Sequence, residues 1–519
     1  MNTIKYKNII NSLKWQHILY FSVILFAIIY MLENFYYDYQ MGDEGFALVN
    51  AWRIERGEVP IRDFLTLPPF SFLPTALFFK IFGVNFFAAR LLTLFYGIFL
   101  IFLVDQILRY FKVSLIARCA AIAFLIPNGV YAWIMPSHHW VVSLLQLTAI
   151  LFLFKGIVSE RSHILFFISG FLLSLACFTM QDQGGYMVIL SFGLIFPFVE
   201  PKQRKKLFLF WFAGGLFCVL LFGLWLLPYV DLKDIINQWF VHPLTTYKTL
   251  KGNESQFLGG WDQLIATLKI QGLWLDARIN YFFLGSLVTL LPLFFAVIMF
   301  FAYKNKWFKR YEWGILLATG LAFWFAAAHR WSLSYSIWAS PPSIIILLIA
   351  LNRLLENPIK KSRVLGHIAI FLILFSSIGL SIRNLQLPGR YQLSYFEGRA
   401  GKIYSIKHSE VKKIQIIINA IEKFVPADKS LFCTGYLALF NFITQRPHPA
   451  KRTFYNFPSF QEGHHLKDLI SSLEKLDESY VLLILPLDIN NQFHRYLLSN
   501  YQLLWESPWN NGFQLYKRN

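Results

Sequence analysis

The chain has 519 residues, of which 56% are hydrophobic, 18% aromatic and only 15% charged, and its mean hydropathy is +0.47. A water-soluble domain does not carry this much apolar surface. The formal charge of +19 would suggest a nucleic-acid partner in a soluble protein, but the arrangement of the basic residues along a membrane protein explains it better. We therefore predict a polytopic α-helical membrane protein that binds no nucleic acid.

The apolar residues are gathered into blocks of roughly 16–23, the length that a helix needs to cross about 30 Å of hydrocarbon. These blocks predict about eleven transmembrane helices. In chain order they lie near 17–36, 88–108, 113–129, 138–155, 163–179, 185–200, 207–229, 281–303, 312–328, 333–352 and 365–383.

Basic residues predict the orientation of the spans, because Lys and Arg near span ends are retained on the cytoplasmic side. They concentrate in alternate connections, at 5–14, 109–118, 155–161, 202–206, 304–310 and 353–363. The amino terminus is therefore expected in the cytoplasm, and an odd number of spans places the carboxyl-terminal region outside. The first span has no small-x-small cleavage site after it and is expected to be an uncleaved anchor.

Three segments on the predicted outer side are long enough for chemistry: the first outer loop (38–87), a second loop (231–280) and the C-terminal region (385–519). The C-terminal region is polar, and its apolar residues within 410–425 recur at helical spacing. Short apolar runs at 430–432 and 480–485 suggest strands. We predict a transmembrane domain over 1–384 and a small α/β domain over 385–519, large enough to bury its own core.

The first outer loop contains the most informative motif, Met41-Gly42-Asp43-Glu44-Gly45-Phe46. If Asp43 and Glu44 lie in a helix, their side chains diverge by about 100°, so one can face a reacting group while the other faces a metal, an arginine or backbone donors. A carboxylate at the edge of low dielectric can act as a general base. The alternative is a solvated turn before an amphipathic helix.

Further motifs follow in order. They are the Trp52-Arg53-Ile54 segment, Gly57-Glu58-Val59-Pro60-Ile61-Arg62-Asp63-Phe64, the Pro68-Pro69 pair, Phe82-Gly83 and Arg90. With the acidic pair, this ordered set resembles the C-type superfamily of membrane glycosyltransferases, in the bacterial branch similar to protein mannosyltransferases and lipid A aminoarabinose transferases. The predicted spans, the external carboxyl-terminal domain and the long second outer loop match this pattern as well.

The resemblance implies an enzyme with the C-type glycosyltransferase fold in the bacterial inner (plasma) membrane. Its donor would be a sugar on a polyprenyl phosphate, and its acceptor an extracytoplasmic glycan, lipid or protein. The first-loop acidic residue of such enzymes, here Asp43, is taken as the catalytic base or the residue that orients the acceptor, with Glu44 beside it. Transfer would invert the anomeric carbon.

The donor phosphate needs a cation, and the first-loop lysine of the aminoarabinose transferases is replaced here by the Leu67–Phe70 segment. Arg330, at the outer end of the ninth span, is the main candidate because a guanidinium offers a forked donor to phosphate oxygens. The alternative for this residue is an interfacial arginine that extends to the lipid headgroups. Arg53 and Arg62 are further candidates.

Other polar residues on the same side are candidates to line the site. They are His138, His139, Gln181, Asp182, Tyr335 and Arg446. The histidine pair could bind a divalent metal with Asp43, shuttle a proton or hydrogen-bond the sugar, although interfacial histidines are common. Any metal requirement is left open, and no other cofactor is expected. Aromatic girdling of the interface and a surface turn are the alternatives for the segments of Tyr335 and Arg446.

Two other functions remain possible from the sequence. A transporter or flippase for a lipid-linked or polar solute would use the same charges to line a path, but long outer loops, an outer domain and the lack of inverted hydropathy symmetry argue against a carrier. An oligosaccharide polymerase or ligase would rely on arginine-rich outer loops rather than on an acidic pair.

Overall fold

The fold is a bundle of long apolar helices followed by a small region of mixed sheet and helix. The computed structural model describes residues 2–160, 162–241, 265–266, 268–270, 274–289, 297, 304, 309–328, 333–356, 359–386, 392–434, 437–453, 463–484, 491–510 and 512–519. The helices of the first part are α1 (Asn2–Glu33), α2 (Asp43–Glu55), α3 (Leu73–Phe82), α4 (Phe86–Tyr110), α5 (Leu115–Asn128), α6 (His138–Val158), α7 (Ser162–Cys177), α8 (Gln181–Leu194), α9 (Pro201–Leu226), α10 (Leu232–Ile236), α11 (Leu275–Thr289), α12 (Arg310–Ala328), α13 (Leu333–Glu356) and α14 (Lys360–Leu385).

The described helices confirm the polytopic helical class. Seven of them are long and apolar enough to cross a membrane, judged by length and composition: Trp15–Glu33, Phe86–Tyr110, Leu115–Ala132, His138–Val158, Pro201–Leu226, Ile337–Glu356 and Lys360–Leu385. Helices α7, α8 and α12 lie at three further predicted spans, and α8 begins four residues before the predicted start at 185. The count of eleven stays a prediction, because the predicted eighth span at 281–303 lies largely outside the described residues.

Helix α9 has one face with exposed apolar residues and another face with small residues that packs against α7. On α9, Leu216, Leu220 and Leu224 are exposed, as expected for a face in contact with lipid. On the opposing faces of α7 and α9, a Cβ atom at Gly170 or Gly214 would collide with the backbone of the other helix. The two helices therefore pack at the close distance that small residues permit in membranes.

The C-terminal region contains six strands and four helices among its described residues. They are β1 (Ser394–Gly398), β2 (Gly401–Ser405), α15 (His408–Phe424), β3 (Leu431–Cys433), α16 (Ala438–Thr444), α17 (Gly463–Glu474), β4 (Tyr480–Ile484), α18 (Gln492–Asn500), β5 (Tyr501–Glu506) and β6 (Phe513–Arg518). Strands β1 and β2 form an antiparallel hairpin, and the others form a sheet in the order β3-β4-β6-β5. Only the β3–β4 pair is parallel. The predicted helix and both predicted strands are present, so a small α/β region is confirmed.

Both faces of this sheet are buried. Alternate residues of a strand point to opposite faces, so each strand contributes side chains to two different cores. On β4, Val481 and Leu483 belong to a core formed within the C-terminal region, whereas Tyr480 and Leu482 belong to a core that also contains residues of α2, α3 and α4. The expectation that the region buries a core of its own therefore describes one face only. The other face shares its core with the first outer loop.

Main-chain hydrogen bonds reinforce this shared core. The Asp38 amide donates to the Tyr404 carbonyl at 2.8 Å, and the Tyr404 amide donates to the Tyr36 carbonyl at 2.9 Å. The Phe86 amide, at the start of α4, donates to the Ala400 carbonyl at 2.9 Å. The first outer loop and the C-terminal region therefore form one packed layer at the same end of the helix bundle.

Candidate active site

The two adjacent carboxylates at the start of α2 face in different directions. Asp43 is exposed, whereas the Glu44 side chain is fully buried. This is the divergence expected of consecutive residues on a helix. The Asp43 carboxylate therefore lies at the surface, and the Glu44 carboxylate supports the helix from inside.

Glu44 forms a buried ion pair with Arg90 on α4. Arg90 Nη1 lies 2.8 Å from Glu44 Oε1, and the same nitrogen donates to the Ile134 carbonyl. Arg90 Nη2 donates to the Asp38 carbonyl at 2.9 Å. Burial raises the pKa of Glu44, while the charge of Arg90 opposes that shift. Arg90 therefore holds the first outer loop, the start of α2 and the segment before α6 together.

The second half of the first outer loop rests on the connection between α7 and α8. The Phe70 amide donates to the Phe178 carbonyl at 3.1 Å, and Ser71 Oγ donates to the Thr179 carbonyl at 2.7 Å. The first outer loop is therefore fixed directly to the connection between α7 and α8.

Gln181 and Asp182 form the first residues of α8. Gln181 Nε2 donates to the Trp239 carbonyl at 2.7 Å, which ties α8 to the second outer loop. Asp182 Oδ1 accepts from the Gln183 amide at 2.7 Å, close to the helix amino terminus where a carboxylate is favoured. These contacts serve the architecture of this end of α8, and the role of both residues in lining the site stays a prediction.

A small cavity lies where the ends of four helices meet at the same side as α2. Its described lining comes from α6, α8, α12 and α13: His139, Gln183, Phe323, Ala326, Ala327, Trp338 and Ala339. The His139 ring stacks on the Trp338 indole with centroids 3.8 Å apart and 12° between the planes. His138 lies beside them, with its ring centroid 4.2 Å from that of His139. His139 therefore lines the cavity and His138 lies beside it, and the role of the pair in the site stays a prediction.

Two predicted residues follow α12 in the sequence. Arg330 is outside the described residues, and Tyr335 lies in the first turn of α13 with a side chain that is not described. Helices α12 and α13 line the cavity through Ala327 and Trp338. Arg330 as the phosphate ligand and Tyr335 as a site-lining residue stay predictions.

Arg53 has contacts that favour a structural role over the predicted binding of phosphate. Its side chain is buried, and Nε pairs with Glu58 at 2.6 Å. Nη1 donates to the Ala450 carbonyl at 2.7 Å, and Nη2 donates to the Asp63 carbonyl at 3.0 Å. Its guanidinium therefore joins α2 to the C-terminal region.

Arg62 and Arg446 also bind protein groups. Arg62 is partly exposed, forms two bonds of 2.9 and 2.7 Å with the Asp63 carboxylate and lies over the Tyr229 ring at 5.1 Å. Arg446 is buried and pairs with both oxygens of Glu422 at 2.6 and 3.0 Å. The contacts of Arg446 favour support of the C-terminal region over lining of the cavity.

Sequence reasoning did not identify three features of this site. Arg90 was noticed only as part of a motif, although an arginine at the start of an apolar span is a signal of a buried partner. Gln183 and Trp338 were not singled out as cavity residues. Among the residues that the structure describes, no group of three or more His, Cys, Asp or Glu side chains is arranged to hold a metal ion; the metal requirement stays open.

Comparison with known proteins gives a result at the level of structure alone. No protein-family model and no curated protein sequence matches the chain. Among solved structures, ArnT from Cupriavidus metallidurans bound to undecaprenyl phosphate matches with a TM-score of 0.57 and 10% identity over 97% of this chain and 98% of that one. The apo state of the same protein matches with a TM-score of 0.56 and 11% identity over 98% of both chains.

A weaker likeness, with a TM-score of 0.45 and 11% identity, is to the oligosaccharyltransferase AglB from Archaeoglobus fulgidus in complex with an inhibitory peptide and a dolichol-phosphate, over 95% of this chain and 74% of that one. The likeness to ArnT extends over nearly the whole of both chains and includes the C-terminal region. The protein therefore has the C-type glycosyltransferase fold.

Proposed function

We propose that the protein is a membrane glycosyltransferase that moves a sugar from a polyprenyl-phosphate donor to an extracytoplasmic acceptor. The observation that carries this proposal is the exposed Asp43 at the start of a helix that a buried ion pair fixes in place. The same arginine binds the Ile134 carbonyl in the segment before α6, and α6 begins with His138 and with His139, which lines the cavity. An exposed carboxylate and a small cavity are thus fixed to one support.

The donor class is supported by the fold. A structure of ArnT with the same fold is described as bound to undecaprenyl phosphate. In the present chain, the phosphate would lie against the connection between α12 and α13, where Arg330 supplies a guanidinium and Tyr335 a hydroxyl. The polyprenyl tail would lie among the exposed apolar side chains of the spans.

The reaction requires one base and no nucleotide. Asp43 would accept the proton of an acceptor hydroxyl, whose oxygen attacks the anomeric carbon of the donor sugar. A bond from that carbon to the acceptor oxygen forms, and the bond to the phosphate oxygen breaks with its electron pair going to the lipid phosphate. In-line attack gives inversion. Asp182 and the histidine pair would orient the sugar and the acceptor, and a divalent ion would lower the charge of the leaving phosphate if one binds.

Location follows from the same proposal. The substrate is a lipid-linked sugar, so the enzyme would lie in the bacterial inner membrane with its amino terminus in the cytoplasm. The first outer loop and the C-terminal region would face the periplasm or the exterior. The acceptor class remains a glycan, a lipid or a protein.

The proposal is tested with purified protein in proteoliposomes that contain radiolabelled polyprenyl-phosphate sugars and an extract of envelope acceptors. We expect protein-dependent release of polyprenyl phosphate with label appearing in an acceptor. If no donor releases its phosphate while the same vesicles show flux of a lipid-linked or polar solute, the protein is a carrier.

A further inference from the structure

A buried carboxylate and a partly exposed guanidinium meet where α11 begins and α14 ends. The side chain of Asp276 is 3% exposed and that of Arg383 is 41% exposed. The neighbouring Asn384 side chain donates to the Tyr30 hydroxyl of α1 at 3.3 Å, so the pair lies at the end of the bundle from which the first outer loop starts. We propose that Arg383 binds the phosphate group of a membrane lipid. This inference does not depend on the proposed transferase function.

The Asp276 carboxylate fixes the guanidinium through a single nitrogen. Arg383 Nε donates to the two Asp276 oxygens at 2.9 and 2.7 Å, and Asp276 Oδ1 also accepts from the Ala277 amide at 3.0 Å. A Cβ atom at Gly379 would lie 2.5 Å from Asp276 Oδ2, so the glycine on α14 makes room for the carboxylate. The ion pair therefore belongs to the packing of α11 against α14.

The other two nitrogens of the Arg383 guanidinium remain for a ligand. The group lies over the Trp274 ring, 4.2 Å from its centroid, and this contact helps to fix its plane. No described residue accepts a hydrogen bond from either Nη atom. Together the Nη atoms form a planar fork of donors that matches two oxygens of a phosphate.

The surface around Arg383 is apolar. Trp274 and Leu275, which lie at the start of α11, and Ile382 on α14 are all exposed. Exposed side chains of this kind at the end of a span lie where hydrocarbon meets lipid headgroups, and tryptophan is enriched at that boundary. A guanidinium at this depth meets the phosphates of lipids, so the ligand class is a phosphate carried by a lipid.

The local charge also favours an anion. The sequence over 265–289 and 376–386 contains three basic residues and one acidic residue, namely Lys269, Arg278, Arg383 and Asp276. The ion pair by itself is electrically balanced. The surplus of positive charge in these two segments is therefore what attracts an anion to the exposed side of the guanidinium.

The test measures lipid binding to the full-length protein in an uncharged detergent by native mass spectrometry. Undecaprenyl phosphate and phosphatidylglycerol are the probes, because both carry phosphate and only the first is a polyprenyl carrier. Arg383→Gln removes the charge and the fork but keeps an amide that can donate to Asp276. We expect the apparent Kd of at least one of the two lipids to rise about tenfold, as charge-assisted hydrogen bonds are lost.

Two further variants separate binding from stability. Trp274→Leu leaves the ion pair intact, so it keeps the test decisive if Arg383→Gln does not fold. It should raise the same Kd about threefold, because the guanidinium loses the ring that fixes its plane. Arg353→Gln is the matched control, since Arg353 is 32% exposed and pairs with Glu356 at 2.8 Å. This control should leave both Kd values unchanged.

The outcomes either identify the source of the phosphate or overturn the inference. A loss confined to undecaprenyl phosphate assigns the site to the polyprenyl carrier, and a loss that includes phosphatidylglycerol assigns it to lipid phosphates in general. Unchanged Kd values for both lipids in the folded variants, or an equal loss in Arg353→Gln, would overturn the inference. Transfer of sugar is measured separately, so failure of either proposal leaves the other standing.

Discussion

The buried pair of Glu44 and Arg90 is the part of the site whose removal should have the largest structural effect. The side chains are 0% and 1% exposed, and Arg90 also binds the carbonyls of Ile134 and Asp38. Arg90→Met would leave a buried carboxylate and two carbonyls without their donor. Loss of one partner from a buried pair costs about 3–5 kcal/mol. We expect Arg90→Met to lower the free energy of unfolding by about this amount.

A double-mutant cycle tests the reasoning, with equilibrium unfolding in mixed detergent micelles as the assay. Glu44→Gln should cost less than Arg90→Met, because the amide oxygen can still accept from the Gln40 amide, which lies 3.1 Å from Glu44 Oε2. The double variant should regain part of the stability that Arg90→Met loses, since no buried charge is then left unpaired. Lys402→Met, which removes a solvent-exposed partner of Glu397, is the control and should have little effect. Strictly additive losses at Glu44 and Arg90 would refute the account of a coupled pair.

Three further predictions concern other parts of the molecule. Burial, with a smaller contribution from Arg53, lowers the pKa of His448 to about 3. Because the unfolded chain binds this proton more readily, the folded state should lose stability as the pH falls from 6.5 toward 3. The free energy of unfolding, measured against pH, should change in this window by up to about 1.4 kcal/mol per pH unit, and His448→Leu should remove this dependence. Gly45→Ala should destabilise the protein to heat, because its Cβ would collide with the Leu439 backbone, whereas Gly185→Ala, with open space around it, should not. Transfer should invert the anomeric configuration, which NMR of the product reads directly; a retained configuration would contradict direct attack by the acceptor.

Local patterns in the sequence predicted the parts of the fold that depend on local physics. Apolar blocks of membrane length predicted the helices, and the approximately 100° step of a helix predicted that Asp43 and Glu44 would face different ways. The amphipathic pattern over 410–425 likewise predicted α15, which spans His408–Phe424.

Local patterns could not predict contacts between residues that are distant in the sequence. The partner of Glu44 is 46 positions away at Arg90, and the Arg53 guanidinium reaches Ala450 across the shared core. The sequence predicted Arg53 as a ligand of the donor phosphate and Arg446 as a residue that lines the site. Their partners come from tertiary packing that one sequence does not reveal.

The lining of the cavity also depends on contacts between residues that are distant in the sequence. His139 was predicted to line the site, but Gln183 and Trp338 were not. Only the meeting of four helix ends places them around one space. A polar residue within an apolar helix is the signal that could have identified Gln183.

The most direct test of the central claim is single-turnover release of polyprenyl phosphate by purified protein in lipid, measured for Asp43→Asn against wild type. Glu55→Gln, at the other end of the same helix, is the matched control. If Asp43 is the base, its variant should fold normally and lose at least about 100-fold in rate, while the control keeps its activity. Wild-type release from a folded Asp43→Asn protein would contradict the claim and remove Asp43 from the chemistry.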